Sequence, residues 1–313
     1  MKLLPLIKRY VAYRQSRGEV FQTSRKILLA FGRSAGPSVA VRLIDRKMTA
    51  LFLYGHGPVT DGWFGRYGAL KGFFRYAIAR NHLAASPLPA TLPERPPRLV
   101  PHIYTVEEVR RLLAVTDAVQ QSCRTIEPVT MYMLILLLYA TGLRLREALT
   151  LRRDQVDLDQ SLLTVAQTKF FKTRLVPFSP QLSDLLRTYL ARPAAAMARP
   201  APTLLCSRYG SALFPDSIQG VFRRICNYAG VRRNDGAAFQ PRLHDFRHTF
   251  AVNRLINWYQ QGRPVQQLLP HLSVYLGHVH LASTQVYLTM TPELLQSANQ
   301  RFRRYALTGR RHV

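Results

Sequence analysis

Thr141-Gly142-Leu143-Arg144 sets a guanidinium at the end of an apolar helix, with Glu147 one turn further on and able to orient it. His244-Asp245-Phe246-Arg247 puts an imidazole and a second guanidinium at i, i+3 on one helix face. Leu276-Gly277-His278 places another imidazole just after a helix, and Tyr287 follows nine residues later. Lys169 stands near the tip of an expected hairpin, on a long flexible arm. Breaking a phosphodiester without a metal requires fixed cations for the phosphorane-like charge, a nucleophile, and an acid for the leaving oxygen. These residues supply all of those parts in one stretch of chain.

Taken singly, each has a plainer reading. Tyr287 is one of 15 tyrosines, and a tyrosine near a helix is more often a half-buried packing residue. His278 after Leu-Gly reads as a helix-end cap, Arg144 with Glu147 as a surface ion pair, and His244 with Arg247 as a solvated helix face. Coincidence of all of them in the order one reaction needs is the poorer explanation. Arg146, Arg152 and Arg153 read as a basic face, and His248, His271 and His280 as structural.

The rest of the composition fits a polyanionic partner. The chain of 313 residues holds 44 Lys+Arg against 17 Asp+Glu, a formal charge of +27, with a pI near 11.0. Residues 1–98 carry 17 basic and 4 acidic side chains and residues 99–313 carry 27 and 13, so the excess is spread along the chain. Such an excess costs self-repulsion unless a polyanion offsets it, and nucleic acid is the leading candidate. The apolar run Met131 to Leu143 is shorter than the roughly 20 residues a bilayer span needs. The first residues lack a signal-peptide pattern, so no membrane association and a cytoplasmic, nucleoid-associated location are expected. Cys123, Cys206 and Cys226 are widely separated, the histidines lack metal-ligand spacing, and no carboxylate cluster suits a two-metal site. No metal and no cofactor are therefore expected.

The elements that must position these residues follow from periodicity. Residues 1–86 read as a helical domain: Leu4, Ile7, Val11 and Tyr13 mark a first amphipathic face. A second helix runs from about Thr23 to Phe31, and a third from about Thr60 to Arg80 carries an aromatic stripe suited to burial. Residues 87–101 form a proline-rich linker, and residues 102–313 a second domain. That domain opens on the capping-box pattern Thr105-Val106-Glu107-Glu108 and continues with an apolar helix from about Val129 to Tyr139. Leu162–Val165 and Leu175–Pro177 form a hairpin joined through Thr168–Thr173. Helices follow after Pro180: one that Ser217 can cap, one from Leu243 to Gln261, a short one ending at Gly277, and two across residues 282–288 and 292–305. The fold class is mainly α with a small β-sheet.

The series Arg144, Lys169, His244-x-x-Arg247, His278, Tyr287 resembles the signature of the tyrosine recombinase (phage integrase) family. The flanking runs Leu138–Arg144, Leu243–Ala251 and Tyr275–His278 match as well, and the likeness covers about 102 to 305. It implies a helical core-binding domain followed by a catalytic domain of the DNA breaking-rejoining type. By that resemblance Arg144 and Arg247 clamp the scissile phosphate, and Tyr287 attacks to give a 3′-phosphotyrosine and a free 5′-hydroxyl. Lys169 protonates the leaving oxygen, His244 assists proton transfer from the tyrosine, and His278 hydrogen-bonds the phosphate. The turn around Lys169 lacks the glycine common in the family and offers Lys172 as an alternative; position after the strand favours Lys169. The implied partners are double-stranded DNA, further copies of the chain as dimer to tetramer on DNA, and partner recombinases. The expected function is a site-specific recombinase or integrase, carried by a mobile element. A topoisomerase IB-like nicking-closing enzyme and an inactive recombinase-fold DNA-binding protein are the alternatives.

Overall fold

The computed structural model describes residues 1–36, 38–55, 57–96, 100–120, 125–166, 173–192, 202–237 and 239–289. The chain divides into two compact units, Met1–Arg98 and Leu99–Val313. Among the described residues no helix is long and apolar enough to cross a membrane.

The first unit packs α1 (Leu3–Ser16), α2 (Gln22–Ser34), α3 (Arg46–Tyr54) and α4 (Asp61–Ile78) around one core. Trp63, Phe73 and Phe74 of α4 are fully buried, as the aromatic stripe requires. The buried face of α1 is Leu3, Leu6, Ile7, Tyr10 and Val11, whereas Tyr13 is exposed. Tyr13 lies at the edge of the expected face: its ring meets Tyr76 of α4 at 5.5 Å between centroids, but most of the helix's burial falls on the residues before it. Sequence periodicity missed α3, a nine-residue helix whose Asp45 cap accepts from Met48 N at 2.8 Å. The start of the proline-rich stretch packs on this unit: Leu88 is buried in its core, and the Pro87 carbonyl accepts from Thr49 Oγ1.

The second unit begins with α5 (Val106–Ala114) and α6 (Thr116–Gln120), then α7 (Pro128–Thr141) and α8 (Leu145–Thr150). The Thr105–Glu108 capping box forms as expected. Helix α7 is apolar all round and therefore central; it packs against α6, α9 and α11 once those are in place. A three-stranded antiparallel sheet follows, made of β1 (Val156–Asp157), β2 (Leu162–Val165) and β3 (Arg174–Pro177) in that order. The hairpin register pairs Leu162 with Pro177 and Val165 with Arg174. Strand β1 is too short to leave a periodic signal. Helices α9 (Pro180–Leu190), α10 (Pro215–Tyr228), α11 (Asp245–Gln260), α12 (Val265–Leu276) and α13 (Ala282–Gln285) complete the unit. Ser217 lies inside the first turn of α10 and does not cap it; the helix starts earlier, at Pro215, whose fixed φ suits a first helical position. The expected helix 292–305 and the hairpin tip lie outside the described residues.

Two glycines fix where the helices stop. Gly142 ends α7 in the left-handed conformation at φ +62°, and a Cβ there would meet Phe250 Cδ1 of α11 at 2.7 Å. Gly142→Ala combines a left-handed alanine, about 1–2 kcal/mol, with that clash. The expected outcome is a lower unfolding midpoint for this unit in thermal denaturation followed by circular dichroism. An unchanged midpoint would mean that α11 yields freely at Phe250.

Candidate active site

Helix α12 ends in a Schellman turn. Gly277 takes φ +68°, its N–H bonds the Val274 carbonyl and the His278 N–H bonds the Ser273 carbonyl, both at 2.9 Å. That leaves the carbonyls of Tyr275, Leu276 and Gly277 without partners from the helix. Three arginines from three other elements take them. Arg174 Nε of β3 donates to Tyr275 O at 2.8 Å. Arg247 Nη2 of α11 donates to Leu276 O. Arg144 Nη2, at the start of α8, donates to Gly277 O at 2.8 Å.

Local sequence explains why these side chains arrive together. In His244-Asp245-Phe246-Arg247-His248-Thr249, the buried Asp245 carboxylate sits in the first turn of α11 and accepts from Arg242 Nη2 at 2.7 Å. Phe246 stacks on Tyr104 with ring centroids 4.2 Å apart, anchoring the helix in the core. The buried Thr249 hydroxyl accepts from Tyr104 N. With those positions committed to packing, Arg247 is directed at the ends of α7 and α12. It is 2% exposed and also donates from Nη1 to Gly142 O at 2.9 Å. Burial, then the Arg144 charge, lowers its pKa to about 10, which leaves it cationic at neutral pH.

Glu147 is the counter-charge. Arg174 grips it bidentately at 3.0 and 2.8 Å, while Arg144 reaches it through Nη1 at 2.8 Å and through its backbone N–H at 2.9 Å. Burial alone would raise the carboxyl; the Arg174 and Arg144 hydrogen bonds outweigh it and bring the pKa down to about 2.

Tyr287, on the 3-10 turn Val286–Thr289 after α13, is 3% exposed. Burial raises its phenol pKa, opposed by the Arg247 charge and hydrogen bond and by the Arg144 charge. The His278 ring lies along Tyr287 at 6.1 Å between centroids, and its Nδ1 is 2.7 Å from the buried Thr284 hydroxyl. The structure therefore brings Arg144, Arg247, His278 and Tyr287 into one cluster. His244, at the N-cap of α11, reaches it through His248: the two imidazole centroids are 5.1 Å apart, and His248 is 5.5 Å from Tyr287. Lys169 and the alternative Lys172 lie outside the described residues. Among the described residues no three His, Cys, Asp or Glu side chains gather as a metal site would require.

Sequence reading missed two residues here. His248, read as structural, contacts Tyr287; its signal was position, four after His244 on the same helix face. Arg174 falls between the expected turn, Thr168–Thr173, and the expected strand, Leu175–Pro177, and the sequence assigns it no role. Its signal was an inverted strand pattern, with Leu175 57% exposed while Arg174 shares the inward face with the fully buried Val176.

The cationic cluster keeps its imidazoles neutral. Burial and then the Arg247 charge lower His278 to about 4; burial and then His244 lower His248 to about 4. Groups with depressed folded pKa values stabilise fully above their unfolded values and lose that contribution as pH falls. The histidines act between about 6.5 and 4, and Glu147 between about 4.5 and 2. Stability of this unit is expected to decline from below about pH 6.5. His278→Gln should flatten the upper part of that decline and Glu147→Gln the lower, as read by unfolding midpoints across pH. A decline beginning only below pH 4 would contradict the neutral histidines.

A family model described as the phage integrase family matches residues 103–293. A protein of Sinorhizobium fredii named as an integrase/recombinase is 41% identical over 250 residues, 77% of this chain and 78% of that one. The tyrosine recombinase XerA of Thermococcus kodakarensis is 32% identical over 239 residues, 74% and 72% of the two chains. Among solved structures, the Tn1549 transposon integrase in complex with transposon right end DNA matches with a TM-score of 0.67 at 17% identity, covering 98% of this chain and 100% of that one. A lambda integrase dimer bound to a COC′ core site matches with a TM-score of 0.63 at 19% identity, covering 90% and 97%. At those identities the structural likeness speaks to the fold.

Proposed function

The chain belongs to the phage integrase family of tyrosine recombinases, and on that footing we propose that it cleaves and rejoins DNA through a covalent bond to Tyr287. The observation that carries this is the Arg247 guanidinium, which holds the ends of α7 and α12 together and bears on the Tyr287 phenol. A scissile phosphate between Arg247 and Arg144 would meet planar donors that never lose their charge and pair bidentately with its oxygens. Tyr287 Oη attacks phosphorus, the bond to the 5′ oxygen breaks, and Lys169 supplies the proton that the leaving oxygen needs. His244 assists removal of the phenol proton. His278, its Nδ1 engaged by Thr284, keeps Nε2 for a phosphate oxygen. Attack of a 5′-hydroxyl on the phosphotyrosine reverses the step, so rejoining needs no external energy source.

Residues 1–86 would act as the core-binding domain and residues 102–313 as the catalytic domain, joined by 87–101. The solved neighbours described as a DNA-bound dimer and a transposon integrase on DNA, with the +27 charge, support double-stranded DNA as partner. The dimer of the first neighbour supports self-association on it, and we further propose assembly up to a tetramer, within a mobile element and inside the cell. A substrate with two specific sites separates this reading from a topoisomerase, which relaxes any supercoiled plasmid.

Tyr287→Phe is expected to bind DNA with near-normal affinity and to form no covalent complex on a nicked suicide substrate. A shifted protein–DNA band from that variant in denaturing electrophoresis would remove Tyr287 as nucleophile. Lys169→Ala should cleave slowly on ordinary DNA and recover when sulfur replaces the bridging 5′ oxygen, because a thiolate departs without a proton. Recovery by Lys172→Ala and not Lys169→Ala would transfer the acid role to Lys172.

A further inference from the structure

Arg174 is the member of the arginine trio to which the proposed chemistry gives no task. Its side chain is 8% exposed. Strand β3 turns Leu175 to solvent and the guanidinium inward, forgoing apolar burial on that face. What the inward arginine holds is specific. Each oxygen of Glu147 accepts one hydrogen bond from Arg174 and one from Arg144: Oε1 from Arg174 Nη1 and Arg144 Nη1, Oε2 from Arg174 Nη2 and the Arg144 backbone N–H. The plane of the Arg174 fork therefore sets the plane of the carboxylate. The carboxylate in turn sets both the side chain and the backbone of Arg144. Arg174 is fixed from behind by Tyr275 O, and β3 is tied to α12 a second time by Tyr275 Oη donating to Pro177 O at 3.2 Å. Gly277 leaves room for it: a Cβ there would lie 2.9 Å from Arg174 Nη1.

We propose that Arg174 is a positioning residue for DNA cleavage, acting through Glu147 to aim Arg144 at the scissile phosphate. The inference rests on the reading of Arg144 as a phosphate clamp. It gives β3 direct control over the aim of a side chain at the start of α8. Lysine cannot replace this arginine, because its three donors radiate from one nitrogen and cannot make the parallel fork to Glu147 while reaching Tyr275 O from a separate atom, as Arg174 Nε does.

The test uses the full chain on a nicked suicide substrate, with enzyme in excess, and compares the single-turnover rate of covalent complex formation with the Kd for single-site DNA. Arg174→Lys should slow cleavage roughly 100-fold, the loss expected when a catalytic group is misplaced by about 1 Å, while Kd stays at the wild-type value. Glu147→Gln should slow it comparably. Arg174→Met combined with Glu147→Gln removes both buried charges, leaves neither unpaired, and should be no slower than either single change, since all three break one relay. That double variant also decides the matter if Arg174→Lys fails to fold. A bound variant that cleaves at the wild-type rate, or losses that multiply, would overturn the relay. A purely structural Arg174 would lower the unfolding midpoint and DNA affinity together while sparing the rate of the bound, folded fraction. Tyr287→Phe serves as the separate control. A covalent complex from it would refute the nucleophile and leave the Arg174 comparison standing.

Discussion

The last turn of α12 organises the second unit. A helix C-terminus concentrates negative potential on carbonyls that have no partner within the helix. Here the Schellman turn satisfies Ser273 and Val274, and arginines satisfy Tyr275, Leu276 and Gly277. Burying a guanidinium costs several kcal/mol when nothing compensates. These are compensated by helix-end carbonyls and by a single carboxylate, Glu147. The arginines are thus held in place by the protein's own carbonyls and carboxylate, and under the proposed function their orientation need not be assembled on a phosphate. A guanidinium has five N–H donors, so Arg247 can hold the carbonyls of Gly142 and Leu276 and keep donors for an anion.

The same arrangement joins distant parts of the sequence. Arg247 connects the end of α7 to the end of α12, and its charge acts on the Tyr287 phenol. Glu147 connects α8 to β3. The hydrophobic clusters follow this division: Phe246 and the α7 leucines belong to the main core, whereas Phe250, Leu255, Leu272, Leu276 and Tyr287 form a second one. The polar cluster lies where these two apolar masses meet, on residues whose i and i+4 neighbours along α11 go to different cores.

Much of this was legible in the sequence, for physical reasons that differ by residue. Gly142 and Gly277 follow apolar runs and mark helix ends, so the arginine and imidazole just beyond them could be placed at exposed helix-terminal positions. Phe246 within His244–Arg247 fixed the helix face. Helix α3 and strand β1 were not legible: the first is nine residues long and the second two, too short for either period to stand out. Ser217 misled because a serine near a helix start resembles a cap, while the actual start is set by Pro215. Arg174 and His248 escaped because their importance lies in tertiary partners: Glu147 is 27 residues from Arg174 in sequence, and Tyr287 reaches His248 only once α12 has turned the chain back.

The neutral histidines are a consequence of burial first and of neighbouring charge second, and they bear on when protons move. Burial, and then the Arg247 and Arg144 charges, make imidazolium costly at His278; burial and then the Arg247 charge do so at His244. A phosphodiester entering between the arginines brings one negative charge, and a phosphorane-like state brings more. Each increment cancels part of the cationic field and lifts the imidazole pKa toward its ordinary value. The affinity of His244 for a proton would therefore rise as charge accumulates on phosphorus, the moment at which the Tyr287 phenol must give its proton up. Burial raises the Tyr287 phenol pKa, against the Arg247 and Arg144 charges, so a proposed attack by its oxygen needs a partner that takes the proton. Burial thus disfavours charge on both the imidazoles and the phenol. The field of three guanidiniums against one carboxylate adds to this at the imidazoles and opposes it at the phenol, and under the proposed function an anionic phosphate would relax that field at the imidazoles.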